Sequence, residues 1–134
     1  MSRVVVPVRY PLSAHSRRTL AAAIEEAATR DAELTVLHVD LYQESGKVTR
    51  TDLKRAVERA FGRQSNARYV VRQGFLVEQT ILDEVAAEDA DVVVIGRKQV
   101  SRWRRSLRTL LGEPDVEAFL ADELDCELVT VDAD

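Results

Sequence analysis

Apolar residues along this chain follow two rhythms that take turns. Short, nearly continuous runs at 4–8 (VVVPV), 34–39 (LTVLHV), 67–71 (ARYVV), 92–95 (VVVI) and 128–131 (LVTV) predict strands. Continuous apolarity over so few residues marks strands covered on both faces. Between them, apolar positions recur at helical spacing: Leu20, Ala23, Ile24 and Ala27; Leu53, Ala56, Val57, Ala60 and Phe61; Val77, Ile81 and Val85; Val116, Leu120 and Leu124. Each set lies on one face of a helix. Pro114 suits a first helical turn, where its missing N–H is not needed, and Asp115 adds favourable negative charge there. Within the first run, Pro7 cannot donate a ladder hydrogen bond, which ordinarily moves such a strand to an edge or a bulge.

The resulting order, β-α-β-α-β-α-β-α-β, argues for parallel pairing, because a parallel return needs a crossover long enough to hold a helix. Two stretches exceed the minimal connection, 40–50 and 97–111, and long connections in a compact domain are usually functional or mobile. The second has helical logic of its own. Trp103, Leu107, Leu110 and Leu111 share one face, with Arg102, Arg105 and Arg108 away from it.

A length of 134 residues fits one domain, taken as 1–134, and 46% hydrophobic against 31% charged residues is a globular balance. No apolar stretch is long enough for a membrane span, and the N-terminal run is too short for a signal peptide, so a cytoplasmic location is expected. The single cysteine, Cys126, excludes an internal disulfide framework and a multi-cysteine zinc site. Ahead of a hydrophobic strand, it reads as a small core residue. The net charge of −4 hides an uneven distribution. Segment 97–111 holds Arg97, Lys98, Arg102, Arg104, Arg105 and Arg108 without one acid, a basic stretch on an otherwise acidic chain. Three readings compete for it: a solvated lid, an anion or nucleotide clamp, and, with only one aromatic for base stacking, nucleic-acid or membrane contact as the weakest.

In an open α/β sheet, ligands bind beyond the carboxyl ends of the strands, where strand order reverses. That rule selects 9–16, 39–42 and 96–99. Taken with the opening 4–8 run, the Ala-rich first helix, His38-Val39, Gly74, and DVVVIG at 91–96 leading to Leu110-Leu111-Gly112, the chain resembles the universal stress protein (UspA) family over nearly its whole length. The resemblance implies a three-layer α/β/α sandwich with a five-stranded parallel sheet of order 3-2-1-4-5, adenine nucleotide alpha hydrolase-like. It also implies a homodimer joined through the C-terminal strand. Edge physics agrees, since an open edge invites pairing, although Glu127, Asp132 and Asp134 are placed to guard it.

Nucleotide-binding members of that family carry Gly-x2-Gly-x9-Gly-Ser/Thr after the fourth strand. Here Gly96 and Gly112 match the first and third glycines, Gln99 stands at the second, Glu113 replaces the Ser/Thr, and twelve residues fill the longer gap. Arg9 stands where an aspartate is implied. The carried-over nucleotide residues are therefore Pro7, Val8, Arg9, Val39, Gly96, Arg97, Lys98, Gly112 and Glu113, with Gly74 near the ligand and otherwise a turn glycine. A carboxylate at Glu113 would occupy the helix dipole that a phosphate needs, while Arg9, Arg97 and Lys98 would cluster as a rebuilt anion site.

The expected function is a non-catalytic binding or regulatory module with a degenerate nucleotide site. Two alternatives stand beside it: ATP or adenine-nucleotide binding through the basic loop, and weak nucleotide hydrolysis. For the latter, Ser13, His15 and Asp40 form a nucleophile set on paper only, with no Gly-x-Ser-x-Gly elbow. His38 reads as a satisfied structural histidine, and His15 as a solvent-facing residue, with a place in the anion loop as the alternative.

Overall fold

The computed structural model describes residues 2–44, 47–111 and 116–132, without the side chains of 106–111. Its elements are β1 (Arg3–Pro7), α1 (Ala14–Arg30), β2 (Glu33–Leu41), α2 (Arg50–Phe61), β3 (Ala67–Gly74), α3 (Val77–Ala87), β4 (Val92–Gly96), α4 (Arg97–Leu111), α5 (Val116–Leu124) and β5 (Glu127–Val131). The five strands are parallel, in the order β3-β2-β1-β4-β5. The basic stretch is a helix, as its own apolar spacing suggested, so the last crossover holds two helices where the alternating element order counted one.

Side-chain alternation divides the core in two. Val4, Val6, Leu34, Val36, Val92 and Val94 pack under α1 and α2, while Val5, Leu37, Val93 and Ile95 pack under α3, α4 and α5. Leftward crossovers (β1 to β2 to β3) and rightward ones (β3 to β4 to β5) must lie on opposite faces, because each keeps the right-handed sense. Val4, Val5 and Val6 consequently have no exposure at all. Trp103, also fully buried, anchors α4 on the second face beside Val100.

Pro7 ends β1 at the centre of the sheet, not at an edge. The Val8 amide donates to the Leu37 carbonyl at 2.8 Å, so even-numbered amides of β1 point to β2 and the missing donor of Pro7 faces β4. Pairing with β4 is confined to Val4↔Val92 and Val5↔Val93. The proline thus falls where the ladder has already stopped.

Helix boundaries follow their caps. The Ser13 hydroxyl accepts the Ser16 amide at 3.1 Å at the start of α1, and Thr49 and Asp52 form a reciprocal capping box on α2. Gly74 is a packing glycine, not a turn glycine. A Cβ there would lie 2.1 Å from Thr80 Oγ1, on the first turn of α3.

Glu84 on α3 and Glu88 at its C-cap, four residues apart, turn inward against β2 and β3. Arg72 Nε donates to Glu84 at 2.7 Å, and Glu88 Oε1 takes Arg68 at 2.8 Å, Arg3 at 3.5 Å and the Thr35 hydroxyl at 2.6 Å. Glu88 Oε2 is buried with no donor, and the two carboxyls share a hydrogen bond. Burial, then that hydrogen bond, push the Glu88 carboxyl above its ordinary range. Burial opposes ionisation of Glu84 too, but hydrogen bonds from Glu88 and Arg72, with the charges of Arg72 and Arg68, bring it below its ordinary range. Stability tied to protonated Glu88 is complete at low pH and lost as pH rises through its raised value. That tied to Glu84 is complete above the ordinary range and lost as pH falls through its lowered value.

Two predictions follow from this packing. In Glu88→Gln, the decline of the urea midpoint as pH climbs above 4.5 is removed while the acid-side loss remains; a midpoint that tracks the wild type at every pH would place the proton elsewhere. Gly74→Ala lowers stability by about 1–3 kcal/mol, and adding Thr80→Ala recovers most of it, as chemical denaturation of the single and double variants will read.

Candidate functional site

The direction of crossover changes between β1 and β4, and beyond the carboxyl ends of these strands is where an open α/β sheet places its ligand crevice. Its first wall is the segment from Val8 to Ser16. The Val8 carbonyl receives the His38 Nδ1–H at 3.0 Å, which assigns the tautomer, since a carbonyl only accepts. Tyr10 then meets the His38 ring edge-on at 6.3 Å between centroids. The Arg9 amide donates to Ser16 Oγ at 2.9 Å, leaving its guanidinium in solvent. Two serines of α1 therefore fold this wall back onto its own helix. His38 is the satisfied structural histidine that its sequence position suggests.

The second wall is β4 running into α4. Gly96 is the last residue of the strand and Arg97 the first of the helix, with no loop between them. A Cβ on Gly96 would meet Thr19 Oγ1 at 3.7 Å and the Val131 carbonyl at 3.9 Å, both ordinary contacts. The fold itself does not demand glycine here. The N–H groups of Arg97, Lys98 and Gln99 open a 15-residue helix and have no intrahelical acceptors.

Arg97 turns away from the cluster its sequence position suggested. Its guanidinium pairs at 2.5 Å with Asp132, just past β5, both side chains being largely exposed. A surface pair of this kind contributes about 0–1 kcal/mol, so it orients the side chain without locking it. Lys98 and Arg9 are exposed. Asp132 was legible only as a guard of the last strand; its pairing with Arg97, 35 positions away, has no signature in sequence spacing.

Val39 lies on the α3 face of a strand that continues to Leu41, so it is flanked by ladder on the β3 side and is half-buried. Gly112 and Glu113, with the Pro114 and Asp115 helix start, lie outside the described residues. The paper triad does not assemble: Ser13 Oγ caps α1, the His15 carbonyl accepts from Thr19 Oγ1, and Asp40 accepts the Val48 amide at 3.2 Å. Among the described residues no hydrogen bond joins the three side chains, and no three His, Cys, Asp or Glu form a metal-holding group. Cys126 is buried, and desolvation followed by the charge of Asp91 pushes its thiol to about 11, far from a nucleophile's range. Among the described residues, no helix is long and apolar enough to cross a membrane.

Such an arrangement, with a five-stranded 3-2-1-4-5 sheet and a carboxyl-end crevice, defines a nucleotide-fold α/β domain. The chain belongs to the universal stress protein family, whose model matches residues 1–131, and it has the adenine nucleotide alpha hydrolase-like fold of that family. It is similar in fold to a universal stress protein solved in complex with cAMP, with 19% identity, 97% of each chain covered and a TM-score of 0.60. A family protein from Burkholderia pseudomallei gives 16% identity, 98% and 96% coverage and a TM-score of 0.64. One from Archaeoglobus fulgidus, in complex with dAMP, gives 17% identity, 97% of each chain and 0.60. No curated protein matches the chain.

Because Gly96 has room for a methyl group, Gly96→Ala keeps the unfolding free energy within about 0.5 kcal/mol of the parent. Thermal and urea unfolding check this, and a loss as large as that of Gly74→Ala would contradict the geometry.

Proposed function

We propose that this universal stress protein domain is a non-catalytic binding or regulatory module, a cytoplasmic homodimer whose nucleotide site is altered from the family pattern. The observation that carries this reading is the direct passage from Gly96 into α4. A wound segment commits its amides to i→i−4 bonds from the second turn on, and it offers a ligand only its first-turn donors. A glycine loop, by contrast, can lay successive amides around a chain of phosphates. The Arg97–Asp132 pair further diverts one of the cations that would compensate. For the dimer, the support is β5, which has a neighbour on one side only and is half-buried along its apolar positions.

A second reading has its own support. The first-turn amides of α4, with Lys98 and Arg9 nearby in the fold, suffice for a single phosphate group, and two of the relatives hold nucleotides with one phosphate, cAMP and dAMP. Under that reading Val8, Val39 and Tyr10 would meet the base. Hydrolysis would additionally require a general base within reach of the phosphate.

Native mass spectrometry of the protein as purified, then with Mg-ATP and with AMP, separates these. The expected result is a dimer that retains and takes up no nucleotide. One nucleotide per subunit would overturn the altered-site reading in favour of the second, and Lys98→Ala should then weaken binding about tenfold, the scale of one charge-assisted hydrogen bond. A monomer would overturn the dimer.

A further inference from the structure

The edge of the sheet opposite β5 carries a groove of about 630 Å³ that lies away from the β1/β4 crevice. It is lined by five consecutive strand residues, Tyr69 to Gln73, facing Tyr42 and residues 47–50. Consecutive residues of a strand point to alternate faces, so a groove touching all five runs along the edge of β3, not over one face. The hydrogen bonds give the same result. The Leu34 amide reaches the Asn66 carbonyl and the Tyr42 amide reaches the Gly74 carbonyl, so even-numbered residues of β3 bond to β2. Parity then turns the N–H and C=O groups of Tyr69, Val71 and Gln73 outward, and no backbone partner takes them among the described residues.

The walls of this open edge are cationic. Lys47 and Arg50 stand exposed on the α2 side with no carboxylate in ion-pair range among the described residues. On the α3 side, Arg68 and Arg72 remain half-exposed while pairing with Glu88 and Glu84. The acid in the groove, Asp40, is buried and occupied by the Val48 amide. Beside the groove, Tyr42 leans on Phe75 at 4.7 Å between ring centroids, and Tyr42, Phe75 and Leu76 are 56%, 70% and 61% exposed. Three of the four exposed large hydrophobic residues of the described chain thus gather at one corner. Scattered exposed apolar residues need no explanation, but a cluster at the end of an open edge does.

We propose that the β3 edge is a docking site for an extended, acidic peptide segment of a partner protein, which adds to the sheet as a sixth strand. Its backbone pairs with Tyr69, Val71 and Gln73. Its adjacent carboxylates, turned to opposite faces of the strand, meet Lys47 and Arg50 on one face and Arg68 and Arg72 on the other, and a terminal apolar residue covers Tyr42, Phe75 and Leu76. Strand addition draws affinity from the main chain and specificity from such side-chain matches. A second copy of this chain is the poorer occupant, because pairing two β3 edges brings cations against cations.

The test uses the whole protein and an eight-residue probe peptide, Val-Glu-Glu-Val-Glu-Glu-Val-Phe, whose paired glutamates turn to opposite faces of the added strand. Amide NMR shifts and fluorescence anisotropy are read together. Saturable binding is expected, with shifts centred on Tyr69, Val71 and Gln73 and at least a tenfold loss in Lys47→Glu/Arg50→Glu. A probe of the same sequence with alternate amides N-methylated should not bind, since it keeps the charge and loses the ladder. The proposal is overturned by equal binding of the methylated probe, by shifts centred on the β1/β4 crevice, or by no saturation up to about 1 mM. It is equally overturned if the same amides shift on dilution without peptide, which would assign the edge to self-association.

Discussion

Val4, Val5 and Val6 of β1 and residues 92–95 of β4 are sealed from water on both faces, and the rest of the molecule is arranged to keep them so. A parallel sheet has no face it can leave wet when its strands are apolar throughout. Right-handed crossovers then force α1 and α2 to one face and α3, α4 and α5 to the other. The crevice between β1 and β4 is the geometric remainder of that division. It exists before any ligand chemistry is added, and Pro7 sits where it opens because the β1–β4 ladder has already ended there.

Chemistry at the crevice is set by how the chain leaves β4. Glycine at 96 leaves room that the fold does not use, yet the chain enters a helix at once, held by Trp103 and Val100 against the second core. The apolar anchors of α4 therefore compete with any looped path for the same residues. Burial of one tryptophan side chain, on the order of 3 kcal/mol, outweighs the local preferences of an exposed arginine-rich stretch.

The two free edges of the sheet hold their arginines in different ways. At β5, Arg30 pairs with Glu127 at one end and Arg97 with Asp132 at the other. At β3, Arg68 and Arg72 are tethered to a buried carboxyl pair on α3, so the edge cations are oriented from inside the domain. A single titrating pair thereby links core packing to the surface that a partner strand would meet.

Strand positions, helix faces and the parallel sheet were legible in the sequence, because burial on two faces writes continuous apolar runs and burial on one face writes a 3.6-residue period. The same is true of His38 and Cys126 as structural residues, since a histidine or a thiol at the end of a buried apolar run is taken up by the core, although the partner of His38, the Val8 carbonyl, lies 30 positions away. The extra helix in the last crossover was half legible, through the spacing that begins at Trp103. Other features arise only when distant segments meet: the Arg97–Asp132 pair, the inward turn of Glu84 and Glu88 beneath three arginines, and the meeting of Tyr42 with Phe75. Each joins residues whose proximity is created by strand order and crossover handedness. Periodicity along one segment carries information about which face is buried, and none about which side chain from another segment will lie across from it.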